Sequence, residues 1–115
     1  MSRKSEKINV IIKYPGESLG HVEAIENTLK AFQDLIGGNI EVVYLPKDTV
    51  AVINEDGKFR GLKENFPLPW GDVIVGPAVL CGASGDEFAD IPITLGEWGN
   101  ILETLKKHKT SLSQS

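Results

Sequence analysis

The apolar residues fall into short runs separated by breaks that contain glycine, proline or asparagine. Ile8, Val10, Ile11 and Ile12 form a near-continuous run that predicts a well-buried strand, ended by the turn chemistry of Pro15-Gly16. Two readings fit the next segment. Val22, Ile25, Leu29, Phe32 and Ile36 recur at helical steps. However, Asn27 and Thr28 are good N-cap residues, so the helix can begin there and leave 20–25 as a second strand. Gly37 stops the helix in either case. Ile40 to Leu45 predicts a strand, Pro46-Lys47-Asp48 a turn, and Thr49 to Ile53 a return strand.

Asp56-Gly57 is a hairpin signal, because a type I′ turn needs positive φ at both central residues; Phe59 to Leu62 then continues the meander. Two prolines and a glycine make 66–71 a loop. Val73 to Cys81 is the most apolar run and predicts a central strand, interrupted at Gly76-Pro77 by a bulge or an edge position. Residues 82–86 predict a loop and Phe88 to Ile93 a short strand. Thr94 and Glu97 have capping-box spacing, opening a helix that buries Leu95, Trp98, Ile101, Leu102 and Leu105 and ends about His108. The pattern therefore predicts an α+β fold: a mainly antiparallel, twisted sheet of four to six strands with both helices on one face. The expected core includes Leu29, Phe32, Ile36, Val42, Val73, Val75, Leu102 and Leu105.

A chain of 115 residues with 41% hydrophobic and 24% charged residues suits a single globular domain. That domain is expected over 8–109, with a frayed start over 1–7 and a polar tail over 110–115. Net charge is −4, and no basic stripe of the kind that neutralises phosphates is present, so no nucleic-acid partner is expected. Lys106-Lys107-His108-Lys109 closes a helix, where cations complement the dipole. Sixteen acidic residues against twelve basic ones do not make a DNA-like polyanion. A single cysteine, Cys81, excludes an intrachain disulfide, and no segment approaches the ~20 apolar residues of a membrane span. A cytoplasmic protein with no membrane partner is the expectation.

Candidate chemistry is sparse. His21 and His108 are the titratable residues nearest neutral pH, and neither has a nucleophile or carboxylate at a diagnostic spacing. Metal binding needs three or four converging ligands. Asp86, Glu87 and Asp90 lack the calcium-loop pattern and read as a solvated acidic loop, so neither metal nor cofactor is expected. Ser84 sits in a glycine-flanked loop that does not match the nucleophile elbow. Gly82-Ala83-Ser84-Gly85 can offer backbone N–H groups to a phosphate, although Asp86 beside it repels an anion. Among the aromatic residues, Trp98 falls on a core stripe, while Tyr44 and Trp70 suit an interface. The candidate ligand- or partner-binding residues are thus Tyr44, Trp70, Ser84, Gly85 and Asp86, with no catalytic set.

Three motifs in order carry a family resemblance: Gly37-Gly38-x-Ile40-Glu41-Val42-Val43, Asn54-Glu55-Asp56-Gly57-Lys58, and Asp72-x-Ile74-Val75-Gly76 followed by Gly85-Asp86-Glu87-Phe88. Together they resemble a domain-of-unknown-function family of bacteriophages, plasmids and conjugative elements, over roughly residues 8 to 105. The resemblance implies the strand reading of 20–25 and an accessory gene of a mobile element. It supplies no catalytic residues. The functional expectation is a non-enzymatic binding protein that interferes with host defence, either by binding a host protein or by sequestering a signalling nucleotide, with a homo-oligomer as the form that suits sequestration. Two alternatives stand beside it: a small hydrolase using His21 with Glu23, Glu26 or Asp86, and an interaction module that pairs through a sheet edge.

Overall fold

The structure is a computed structural model that describes residues 6–114, with side chains described through Lys107. Of the start expected to fray over 1–7, residues 1–5 lie outside the described residues, as do the side chains of His108, Lys109 and the tail from Thr110, while Lys7 is already strand.

Among the described residues, eight strands and two helices follow the order β1 (Lys7–Lys13), β2 (His21–Glu26), α1 (Leu29–Ile36), β3 (Ile40–Leu45), β4 (Thr49–Asn54), β5 (Glu64–Pro67), β6 (Val73–Val75), β7 (Ala78–Ser84), β8 (Glu87–Ala89) and α2 (Leu95–Gln114). Six strands form one sheet in the order β2-β1-β7-β4-β3, with β8 also on β7, and β5 and β6 form a separate hairpin. Every pairing is antiparallel. The α+β class and the antiparallel sheet are as the sequence predicts.

The helices are not on one face. Ile8, Val10, Ile12, Val50, Val52, Val79 and Cys81 pack with Phe32 and Ile36 of α1. Ile11, Ala51, Ile53, Ala78 and Leu80 point the other way, toward Trp98, Ile101, Leu102 and Leu105 of α2 and Phe66, Leu68 and Ile74 of the small hairpin. Successive strand residues face opposite sides. Unbroken apolar runs such as Val50-Ala51-Val52-Ile53 therefore need cover on both, and β4 is buried at all six positions. The sheet is the middle of three layers.

Residues 21–26 are strand, paired with β1 from Lys7↔Glu26 to Ile12↔His21. Thr28 then caps α1, its Oγ1 accepting the Ala31 N–H at 3.1 Å. The helical spacing through Val22 is thus coincidental, and Val22 is exposed. Leu29, expected in the core, is 58% exposed in the first turn of α1, and Val42 and Val73 are only half-buried.

The chain from Asn54 departs furthest from expectation. Asp56-Gly57 makes no type I′ hairpin, since Gly57 does not take positive φ. Instead Asn54 Oδ1 accepts the Asp56 N–H at 2.8 Å and residues 55–61 coil through successive turns, so 59–62 is not a strand. Part of the expected 66–71 loop is strand β5, with Pro67 as its last residue. The expected strand from Val73 to Cys81 is two strands in different sheets, separated at Gly76, whose φ of 76 turns the chain. Ser84 still belongs to β7, so the loop expected over 82–86 shrinks to Gly85-Asp86, and the following strand covers 87–89.

The capping box forms as predicted. Thr94 N–H donates to Glu97 Oε1 at 2.8 Å and Glu97 N–H to Thr94 Oγ1 at 3.0 Å. α2 continues to Gln114, past the expected end, because no glycine or proline follows Gly99 to stop it.

Candidate interaction site

The first two motifs and the Asp72–Gly76 part of the third meet in space, whereas Gly85-Asp86-Glu87-Phe88 lies at the other end of the sheet, and much of that meeting is structural. Gly37 closes α1 in the left-handed region, with φ of 81 and its N–H on Gln33 O. Gly38 lies against Asn54, where a Cβ would stand 2.9 Å from Nδ2. Asn54 is buried and donates from Nδ2 to Ile36 O at 3.2 Å, satisfying a carbonyl at the helix end. Arg60 donates to Gly37 O at 3.0 Å. Gly57 lies against Val75, whose Cγ2 would be 2.8 Å from a Cβ. Gly37, Gly38, Gly57 and Asn54 thus serve to bring α1, β4 and β6 together.

What the knot leaves over is a surface. β3 is an edge of the sheet, bonded among the described residues only to β4. Asn39 O accepts the Glu55 N–H at 2.9 Å, and the register continues as Ile40↔Asn54 through Leu45↔Thr49. Antiparallel pairing alternates bonded and non-bonded residues. The N–H and C=O groups of Ile40, Val42 and Tyr44 consequently point away from β4. The strand reads Ile-Glu-Val-Val-Tyr-Leu, with Glu41 its single charge.

Beside β3, on the α2 side of the sheet, lies a cavity of about 110 Å³. Val43, Ile53, Leu68 and Val73 give it apolar walls, and Glu41, Glu55, Lys58 and Asp72 stand among its lining. Lys58 Nζ donates to Asp72 Oδ1, and Val73 N–H donates to the same oxygen at 2.8 Å. These two bonds, the lysine's first, hold the Asp72 carboxyl below its ordinary value. Glu41 and Glu55 are exposed, and neither carboxylate is in an ion pair among the described residues. Two exposed aromatic residues flank the Lys58–Asp72 pair in sequence: Phe59, 93% exposed, and Trp70, 62% exposed.

Of the five residues the sequence singles out, Tyr44 lies in the open strand, 75% exposed, and Trp70 in the turn that borders the cavity. Ser84 ends β7 and Gly85-Asp86 turn into β8, all three exposed. That turn is at the other end of the sheet, since Gly82 pairs with Thr49 while the cavity borders Asn54. The five therefore do not form one site. His21 does meet Glu23, Nε2 to Oε1 at 2.8 Å, on the opposite sheet edge, β2. Glu26 faces the other side of that strand and Asp86 lies beyond the far end of β7.

Sequence reasoning passed over Glu41, Glu55, Lys58, Phe59 and Asp72. One signal was available: a lone carboxylate in a strand of otherwise uncharged residues. Burial pushes the Cys81 thiol up to about 12, consistent with a small buried hydrophobe. Among the described residues, no group of three or more histidine, cysteine or acidic side chains is placed to hold a metal ion, and no helix is long and apolar enough to cross a membrane.

No curated protein and no solved structure matches this chain. Residues 8–104 match the model of the family described as Domain of unknown function (DUF3846), and the chain belongs to that family.

Proposed function

We propose that this protein is a non-enzymatic binding module that captures an extended segment of another protein as an additional strand on β3. In the mobile-element setting that its motifs suggest, the partner is a host protein, and interference with host defence is the consequence of occupying it. Strand addition derives affinity from main-chain hydrogen bonds and specificity from alternate side chains.

The observation that carries this reading is the open edge itself: Ile40, Val42 and Tyr44 direct their backbone groups outward from a strand with one charge. Proteins ordinarily protect such edges with charges, bulges or a covering loop. β2 follows that rule, carrying His21, Glu23 and Glu26, whereas β3 does not. The exposed Phe59 and Trp70, close in sequence to the cavity-lining Lys58 and Asp72, are residue types enriched at interfaces. This favours a protein partner over a nucleotide.

The test is selection of seven-residue extended peptides on the purified protein, followed by amide exchange. Selected peptides are expected to slow exchange at Ile40, Val42 and Tyr44. Protection confined to β2, or a melting temperature raised by cyclic or ADP-ribose-type nucleotides with no protection at β3, overturns the reading.

A further inference from the structure

We infer that the captured segment carries a basic side chain, arginine or lysine, that enters the cavity beside β3; this rests on the strand-addition reading. A cavity of about 110 Å³ is small beside ligand pockets of roughly 300–1,000 Å³, and suits one side chain rather than a whole small molecule. Val43, Ile53, Leu68 and Val73 form an apolar lining that matches a stem of methylene groups. At the rim, Lys58 and Asp72 neutralise each other, which leaves the carboxylates of Glu41 and Glu55 uncompensated.

The placement follows from strand geometry. A strand added to β3 lies about 4.8 Å away, and alternate side chains face the α2 side of the sheet. Those beside Glu41 and Val43 stand at the cavity. A basic group there donates charge-assisted hydrogen bonds to the two carboxylates while its stem covers the apolar lining. An acidic side chain is repelled, and an apolar one leaves both carboxylates partly desolvated without a partner. A second copy of this chain is a poor occupant, because β3 contains no basic residue to place there.

The probes are three fluorescent seven-residue peptides, Thr-Val-Thr-Xaa-Thr-Val-Thr, with arginine, leucine or glutamate at the centre, titrated by anisotropy at low ionic strength. The arginine peptide is expected to bind about ten-fold more tightly than the leucine peptide, with the glutamate peptide weakest. In the Glu41→Lys, Glu55→Lys double variant the order reverses. Val42→Pro, and independently Tyr44→Pro, weaken all three peptides, since each removes an outward N–H without touching the β4 ladder. Circular dichroism checks that each variant is folded. Equal binding of the three peptides, abolished by the proline variants, leaves strand addition standing and overturns the basic anchor. Binding untouched by both proline variants overturns strand addition. A stable dimer that Val42→Pro dissociates assigns the edge to a second copy and overturns the inference, as does failure of every peptide to bind.

Discussion

Lys13 is 3% exposed, a burial that no sequence pattern announces for a lysine at the end of an apolar run. Its ammonium donates to Asn65 Oδ1 at 2.7 Å, and Asn65 in turn donates from Nδ2 to Lys13 O and Gly76 O, both at 2.8 Å. One asparagine thus ties β1, β5 and the turn at Gly76 together. Asn65→Ala leaves the buried ammonium only its 3.4 Å bond to the backbone oxygen of residue 65 and strands two carbonyls, and should cost about 2–3 kcal/mol in urea unfolding. Lys13 is itself held below its ordinary 10.5, first by burial and then by Lys106, with Glu17 opposing. Its folded value is the lower one, so between that value and 10.5 the unfolded chain binds more protons, and stability rises with pH. Below the window the lysine is charged in both states and the penalty is constant. Lys13→Met should lack this slope, so the difference in unfolding free energy between wild type and variant changes in favour of wild type as pH climbs to 10.5. Parallel curves would show that Lys13 is solvated in the folded protein.

At the level of elements, the local codes that were read correctly are those whose partners lie within a few residues. Thr94 and Glu97 satisfy each other, and Thr28 caps the third residue after it. Thr94→Ala should lower stability by about 1 kcal/mol, measured as a shift of the urea midpoint at unchanged slope. Codes read wrongly have distant partners. Asp56-Gly57 has the composition of a tight hairpin, but Asn54 is fixed by Ile36 O eighteen residues back, and its Oδ1 commits the chain to a different turn. Gly57 is required by the approach of Val75, not by its φ. Gly57→Ala should therefore disturb the Val75 contact and destabilise β6, whereas Gly16→Ala meets open space and costs only its backbone strain. The placement of the helices was legible in principle. Consecutive apolar residues at 50–53 and 78–81 show strands covered on both faces, which one layer of helices cannot supply. The candidate site was less legible, because Glu41, Glu55 and Asp72 acquire a common neighbourhood only when the knot of Gly38, Asn54 and Gly57 has closed.

For the whole molecule, the consequence of a central sheet is two cores that touch the same strands from opposite sides. Phe32 is fully buried on the α1 face and packs against Phe88, ring centroids 4.6 Å apart and planes tilted by 47°. Trp98 is fully buried on the α2 face, edge-on to Phe66 at 5.2 Å, and its indole N–H donates to Leu19 O. Mutational effects add when residues share no partner and couple when they touch. Phe32→Leu combined with Trp98→Phe should therefore give the sum of the two single losses within about 0.5 kcal/mol, while Phe32→Leu with Phe88→Leu should fall short of additivity by more than that. These substitutions are conservative because a full truncation costs about 3–5 kcal/mol, and two would consume most of the roughly 5–15 kcal/mol that holds a small domain folded. Coupling across the sheet as large as coupling within one face would mean that β1, β4 and β7 shift as a body when either core is altered. In that event a strand added at β3 would be felt by both helices, and captured segments should slow amide exchange in α1 as well as in the sheet.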